Sequence, residues 1–184
     1  MQIVNSTLNL DTIIKQVMVV LQQIFEFNGL AISLLDEPRQ NLVFQSSYHD
    51  GSWSGFNDVH WKSIVIPVTA DDNFYVKTLK YNDPNYISPV TPELIERFEE
   101  HDRQLYALVP AKSILMCPLS FQGEAIGVIV FGNSKKTFEL VDSDIVKIQM
   151  YLNQISNAVH NAQQYDALKT TKLQQDVRLP GEHT

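Results

Sequence analysis

The sequence predicts an α+β fold: a central antiparallel sheet, N- and C-terminal helices packed together on one face, and loops and short helices forming a pocket on the other. Three observations carry this. Apolar residues recur at three- and four-residue spacing most strongly near the two ends of the chain. Two hairpin signals, one early and one late, lie between them. The stretch separating the hairpins is irregular, aromatic and interrupted by proline, and loops laid over a sheet enclose a pocket.

The first helix is read from Leu10, Ile13, Ile14, Val17, Leu21, Ile24 and Phe25, with Lys15, Gln16, Gln22 and Gln23 opposite. Asn9 or Asp11 caps its start, and Asn28-Gly29 ends it. Leu30 to Leu35 and Leu42 to Ser47 form the first hairpin around Asp36–Asn41. Residues 48–62 hold Tyr48, His49, Trp53, Phe56, His60 and Trp61 between Gly51 and Gly55, and read as an aromatic loop leading into a strand at Ser63–Val68. Residues 71–89 mix a short helix with loops. Thr91 caps and Pro92 opens a polar helix over Glu93–Ala107, with Leu94, Ile95, Phe98, Leu105 and Tyr106 as its apolar stripe. Ser113–Phe121, the turn Gln122-Gly123-Glu124 and Ala125–Phe131 form the second hairpin. Gly127 between β-branched neighbours leaves room for a close backbone approach or a bulky group opposite, as a packing accommodation for a core aromatic or a ligand-facing position. The last helix begins near Leu140 and buries Ile145, Ile148, Leu152, Ile155, Val159 and Ala162; acids at its start complement the helix dipole. Residues 1–168 are assigned to the domain and 169–184 to a helical extension ending in a disordered tail.

Composition narrows the function classes. The chain has 184 residues, 44% hydrophobic, enough for one domain with a sizeable core and short for two. A net charge of −7, from 21 acids against 14 Lys and Arg, disfavours nucleic acid and anionic membrane surfaces as partners. The single cysteine, Cys117, rules out an intramolecular disulfide and a cysteine-based zinc site, and fits a reducing, cytoplasmic location. The N-terminal residues lack the pattern of a signal peptide, and the longest apolar runs fall short of the roughly 20 residues that span a bilayer. No nucleophile, metal or phosphate-loop motif is present, so the expectation is a protein that is not an enzyme, without a required cofactor or metal.

Three segments resemble the GAF domain family over roughly residues 8–168: Leu10–Ile14 followed by Gly29–Asp36; Ser113–Leu119 followed by Gly123–Ile129; and Phe138–Asp142 running into the last helix. The resemblance implies a small-molecule-sensing module that relays a signal through its terminal helices to an output domain outside this chain, such as a kinase, cyclase or phosphotransferase. Asn133, Lys135 or Lys136, Phe138 and Asp142 stand in an order similar to a signature of cyclic-nucleotide-binding members, though Ser134 and Ser143 depart from it. This implies a Lys–Asp142 salt bridge bracketing the last helix. Cys117 has no adjacent histidine, which disfavours covalent bilin attachment, and a single cysteine cannot complete methionine sulfoxide reduction. Haem, ligated by His49 or His60, is an alternative.

The pocket candidates are Tyr48, Trp53, Phe56 and Trp61, with Tyr75 and Met116 in support. Tyr151, Ala158, Ala162, Tyr165 and Leu168 form a second apolar seam on the last helix, which predicts a homodimer. The competing reading is a purely structural dimerisation module with a filled core.

Overall fold

The computed structural model describes residues 9–53 and 55–178. Its elements run α1 (Leu10–Gln22), β1 (Gly29–Leu35), β2 (Asn41–His49), α2 (Asp58–Ser63), β3 (Val65–Pro67), α3 (Phe74–Tyr81), β4 (Asn85–Ile87), α4 (Pro92–Glu96), α5 (Glu100–Leu108), β5 (Ser113–Phe121), β6 (Glu124–Asn133) and α6 (Asp142–Arg178). The strands form one sheet in the order β3-β2-β1-β6-β5-β4, every neighbouring pair antiparallel. This is the expected α+β arrangement. Among the described residues, no helix is long and apolar enough to cross a membrane.

The sheet has two covered faces because successive strand residues point to opposite sides. Leu30, Ile32 and Leu34 of β1, with Ile129 and Phe131 of β6, face a cluster built from the apolar stripes of α1 and α6. Ala31 of β1, with Val128 and Val130 of β6, faces a second cluster under α2, α3 and α5. Phe27, Phe131 and Phe138 meet at the centre of the helix face. The rings of Phe27 and Phe131 stack at 4.7 Å, and Phe27 meets Phe138 edge-on at 4.9 Å. The exit from β6 into α6 is pinned there: Tyr86 Oη and Ser88 Oγ both donate to the Phe138 carbonyl, and Phe138 N donates to Ser113 Oγ.

Several boundaries differ from the sequence expectation. Helix α1 is capped by Asn9, whose Oδ1 accepts from Thr12 N at 2.8 Å, but it stops at Gln22 and Ile24 is exposed. The aromatic loop contains α2, because Asn57 Oδ1 accepts from Val59 N and His60 N and starts a turn of helix. The expected strand at 63–68 shrinks to Val65–Pro67. The polar helix over Glu93–Ala107 is two helices: Glu99 takes an extended conformation and its carboxylate caps α5, accepting from His101 N and Asp102 N. Strand β4 is an edge too short to leave a periodic signal. Helix α6 starts at Asp142 rather than Leu140 and runs unbroken to Arg178. The expected extension is helical as far as Arg178; residues 179–184, where the tail was expected, lie outside the described residues.

The second seam of α6 needs revision as well. Ala162 is buried in the domain's own core, and Tyr151 and Ala158 pack partly against it. Tyr165 and Leu168 stand clear at 54% and 69% exposure, joined by exposed Val146 and Met150.

Gly127 lies where β6 runs hardest against β1. A Cβ there would collide with the Ser33 carbonyl oxygen and the Leu34 side chain. Gly127→Ala is expected to lower stability by about 1–3 kcal/mol in urea unfolding; an unchanged midpoint would contradict this close approach.

Candidate functional site

The second face of the sheet does not fill completely. Between β5–β6 and helices α3 and α5 lies a partly open cavity of about 50 Å³. Its floor is Ile114 and Met116 of β5 with Val130 and Gly132 of β6; its walls come from Trp53, Trp61, Phe74, Tyr75, Phe98, Asp102, Leu105 and Tyr106.

Trp53 closes one end through a device written into the backbone. Gly29 of β1 pairs with Gly132 of β6, and the indole lies over this pair. A side chain at Gly29 would overlap the indole ring itself. Trp53 Nε1 donates to Asn28 Oδ1 at 2.8 Å, and Asn28 Nδ2 in turn donates to Ser134 Oγ at 3.1 Å. The loop after β2 is therefore fixed by one buried hydrogen bond and a slot with no side chain in it. His49 stacks on Trp53 at 5.7 Å, and Phe56 packs against Trp53, Trp61 and Phe44.

The polar edge of the cavity is a buried cluster joining α3 to α5. Asn73 caps α3, its Oδ1 accepting from Val76 N at 3.1 Å. Its Nδ2 is shared, donating to Glu99 Oε2 at 2.9 Å and Asp102 Oδ1 at 3.0 Å. Asp102 Oδ2 accepts from Phe74 N at 2.9 Å. The His101 ring, half-buried, meets Glu99 Oε1 at 2.6 Å. Burial drives the Asp102 carboxyl up to about 7, with the Glu99 charge adding to the rise and the Phe74 hydrogen bond opposing it. Glu99 goes the other way: burial raises it, but hydrogen bonds from Asn73 and His101 prevail and hold it below its usual value. Burial, aided by the Asp102 charge, pushes the Tyr75 hydroxyl well above the ordinary phenol range.

Of the six pocket candidates, Trp53, Trp61, Tyr75 and Met116 line the cavity. Tyr48 does not. It pairs with Leu30 and so points to the helix face, where it packs against the other cluster. Phe56 braces the two tryptophans without lining the cavity. Residues unforeseen in the sequence include Phe74, Phe98, Asp102 and Tyr106. The signal for two of them was present: Phe98 and Asp102, with Leu105, fall at four- and three-residue spacing, placing the acid on the apolar stripe.

The chemistry of this lining does not suit the cofactors considered from sequence. Among the described residues no Lys, Arg or His lines the cavity to take a cyclic phosphate or to ligate haem iron, and His49 and His60 lie outside it. The expected Lys–Asp142 bridge is absent among the described residues. Lys136 pairs instead with Glu26 at 2.7 Å, while Asp142 stands in the first turn of α6. Cys117 is buried in mid-strand, and burial raises its thiol well above the usual range. Among the described residues no group of three or more His, Cys, Asp or Glu is placed to hold a metal.

The family model for the GAF domain matches residues 9–159. The chain belongs to the GAF domain family. Solved structures agree on the fold. The GAF domain of a two-component sensor histidine kinase from Bacillus halodurans is 20% identical, with a TM-score of 0.64 over 86% of this chain and 98% of that one. A GAF domain from a phosphoenolpyruvate-protein phosphotransferase of Coxiella burnetii is 15% identical, with a TM-score of 0.64 over 90% and 91%. Residues 122 to 287 of a methyl-accepting chemotaxis protein are 21% identical, with a TM-score of 0.60 over 87% and 90%. No curated protein matches the chain. GAF domains are sensory regulatory domains of signalling proteins, and this chain is one of them.

Because the folded Asp102 carboxyl keeps its proton to higher pH than the unfolded value of 3.8, its contribution to stability is full below that value and is lost as pH rises towards about 7. Urea unfolding should show stability falling between pH 5 and 7, by at most about 1.4 kcal/mol per pH unit. The slope should be absent in Asp102→Asn. Equal slopes in the two proteins would contradict the assignment.

Proposed function

We propose that this GAF domain binds a small molecule in the cavity between the sheet and α3/α5 and relays occupancy through its terminal helices to an output domain, without catalysis of its own. The observation that carries the reading is the partly open, largely apolar cavity, whose wall includes Trp53, Trp61, Tyr75 and Met116. A domain with a wholly structural role gains nothing from leaving such a space unfilled, since empty volume costs stability.

The relay follows from the two-sided sheet. β5 and β6 floor the cavity with one set of side chains and hold α1 and α6 with the other. A ligand that binds two arrangements of the pocket face with different affinity shifts the population of both faces together.

The same helices support a homodimer. Between Ile148 and Tyr165, α6 carries no Asp, Glu, Lys or Arg, although one side of it is turned to solvent. With exposed Val146, Met150, Tyr165 and Leu168, and with Val19 and Val20 of α1 partly exposed, this uncharged face suits burial against a second copy. The sensor would then be a reducing-compartment, cytoplasmic module of a larger protein, acting on neither nucleic acid nor membrane.

Native mass spectrometry of freshly purified protein tests both parts. The expected spectrum is a dimer that retains a small added mass, lost in Met116→Trp, which fills the cavity. A dimer without added mass, and without thermal stabilisation by any compound of a small-metabolite panel, would contradict sensing and favour the structural dimerisation reading.

A further inference from the structure

The cavity wall accepts one sign of charge. Asp102 is its only carboxylate, is 5% exposed, and forms no ion pair within 4 Å among the described residues. Both of its oxygens accept hydrogen bonds from neutral donors, Asn73 Nδ2 and Phe74 N, which favour the ionised form against burial. A carboxylate offers about four acceptor sites, so about two remain. The nearest basic groups make their closest contacts elsewhere. His101 holds Glu99, and the Lys77 ammonium lies over the Phe74 ring, 5.3 Å from its centroid. Asp102 is thus a buried acid without an ion-pair partner, and its charged form is costly unless something supplies a counter-charge.

Aromatic rings stand beside it. Phe74 meets Phe98 at 5.7 Å and Phe98 meets Tyr106 at 5.5 Å, both edge to face, and all three line the cavity. Ring faces attract cations, and Lys77 already occupies one such position. An anion would sit against Asp102 in a poorly screened space, a neutral molecule would leave its ionised form uncompensated, and a cation would stabilise that form.

We propose that the cavity binds a small organic ammonium ion, its charged head against Asp102 and its alkyl groups on the Phe74, Phe98 and Tyr106 rings. The proposal rests on the sensor reading and names its ligand class. About 50 Å³, at roughly 10–15 Å³ per water, holds about four waters, so the ion has about four to six heavy atoms. Binding stabilises ionised Asp102 and therefore releases a proton below neutrality, so affinity rises with pH. The other titratable groups facing Asp102 are Tyr75 and Lys77 from α3, and Glu99 and His101 at the start of α5; β5 and β6 line the cavity with Ile114, Met116, Val130 and Gly132 alone.

Calorimetric titration with tert-butylammonium and its neutral counterpart tert-butanol, at pH 6 and 8, tests this. The ammonium ion should bind at least about tenfold more tightly than the alcohol. The preference should grow from pH 6 to 8 and vanish in Asp102→Asn. Should that variant fail to fold, Phe98→Leu should weaken the ammonium several-fold and leave the alcohol unchanged. Alcohol binding as tight as ammonium binding, or ammonium affinity unaltered in both variants, would overturn the proposal while leaving the sensor reading in place. If neither probe binds and the purified protein retains no added mass, proposal and sensor reading fall together.

Discussion

The antiparallel pairing of β1 with β6 is the constraint on which the rest of the molecule depends. These two strands lie at the centre of the sheet, and each divides its residues between two cores. Leu30, Ile32, Ile129 and Phe131 belong to the helix face, while Ala31, Val128 and Val130 belong to the pocket face. A slip of one residue would exchange the two sets, burying the wrong side chains on both faces at once. The bulge at Ile32/Ser33 opposite β2 keeps the alternation in phase, so Phe44 and Leu42 still reach the pocket side.

Close approach is the second consequence of that pairing. Gly127 lets β6 press on Ser33 and Leu34, and the Gly29/Gly132 pair leaves a flat slot that Trp53 occupies. Trp53 then fixes the loop that carries α2, and α2 delivers Trp61 to the cavity. The opposite wall is organised by polar contacts: Asn73 satisfies the start of α3 with its carbonyl and ties Glu99 and Asp102 of the α5 region with its amide. One wall is held by packing and the other by a buried hydrogen-bonded cluster. The second is responsive, since its carboxyl titrates near neutrality.

Much of this was legible in the sequence because periodicity reports burial directly. The stripes of α1 and α6 and the alternation of the β5–β6 hairpin gave the two-layer arrangement, and the aromatic stretch at 48–62 gave two of the cavity walls. Tyr48 misled because its side of the strand is set by pairing with Leu30, a long-range fact that composition does not carry. The break at Arg97–Glu99 was hidden because Glu99 is an acceptable helix interior residue. Only tertiary contacts with Asn73 and His101 show that it serves as a cap. Asp102 stands among the charged residues Glu99, Glu100 and Arg103, which hides it, although its spacing from Phe98 and Leu105 places it on the buried side.

If one sheet serves both faces, filling the cavity must be felt on α6. Hydrogen–deuterium exchange with and without saturating tert-butylammonium reads this directly. The account predicts slower exchange across Phe98–Val109, together with a change along Ile148–Leu168 on the far side of the sheet. Protection confined to the cavity walls, with α6 exchanging identically in both states, would contradict it.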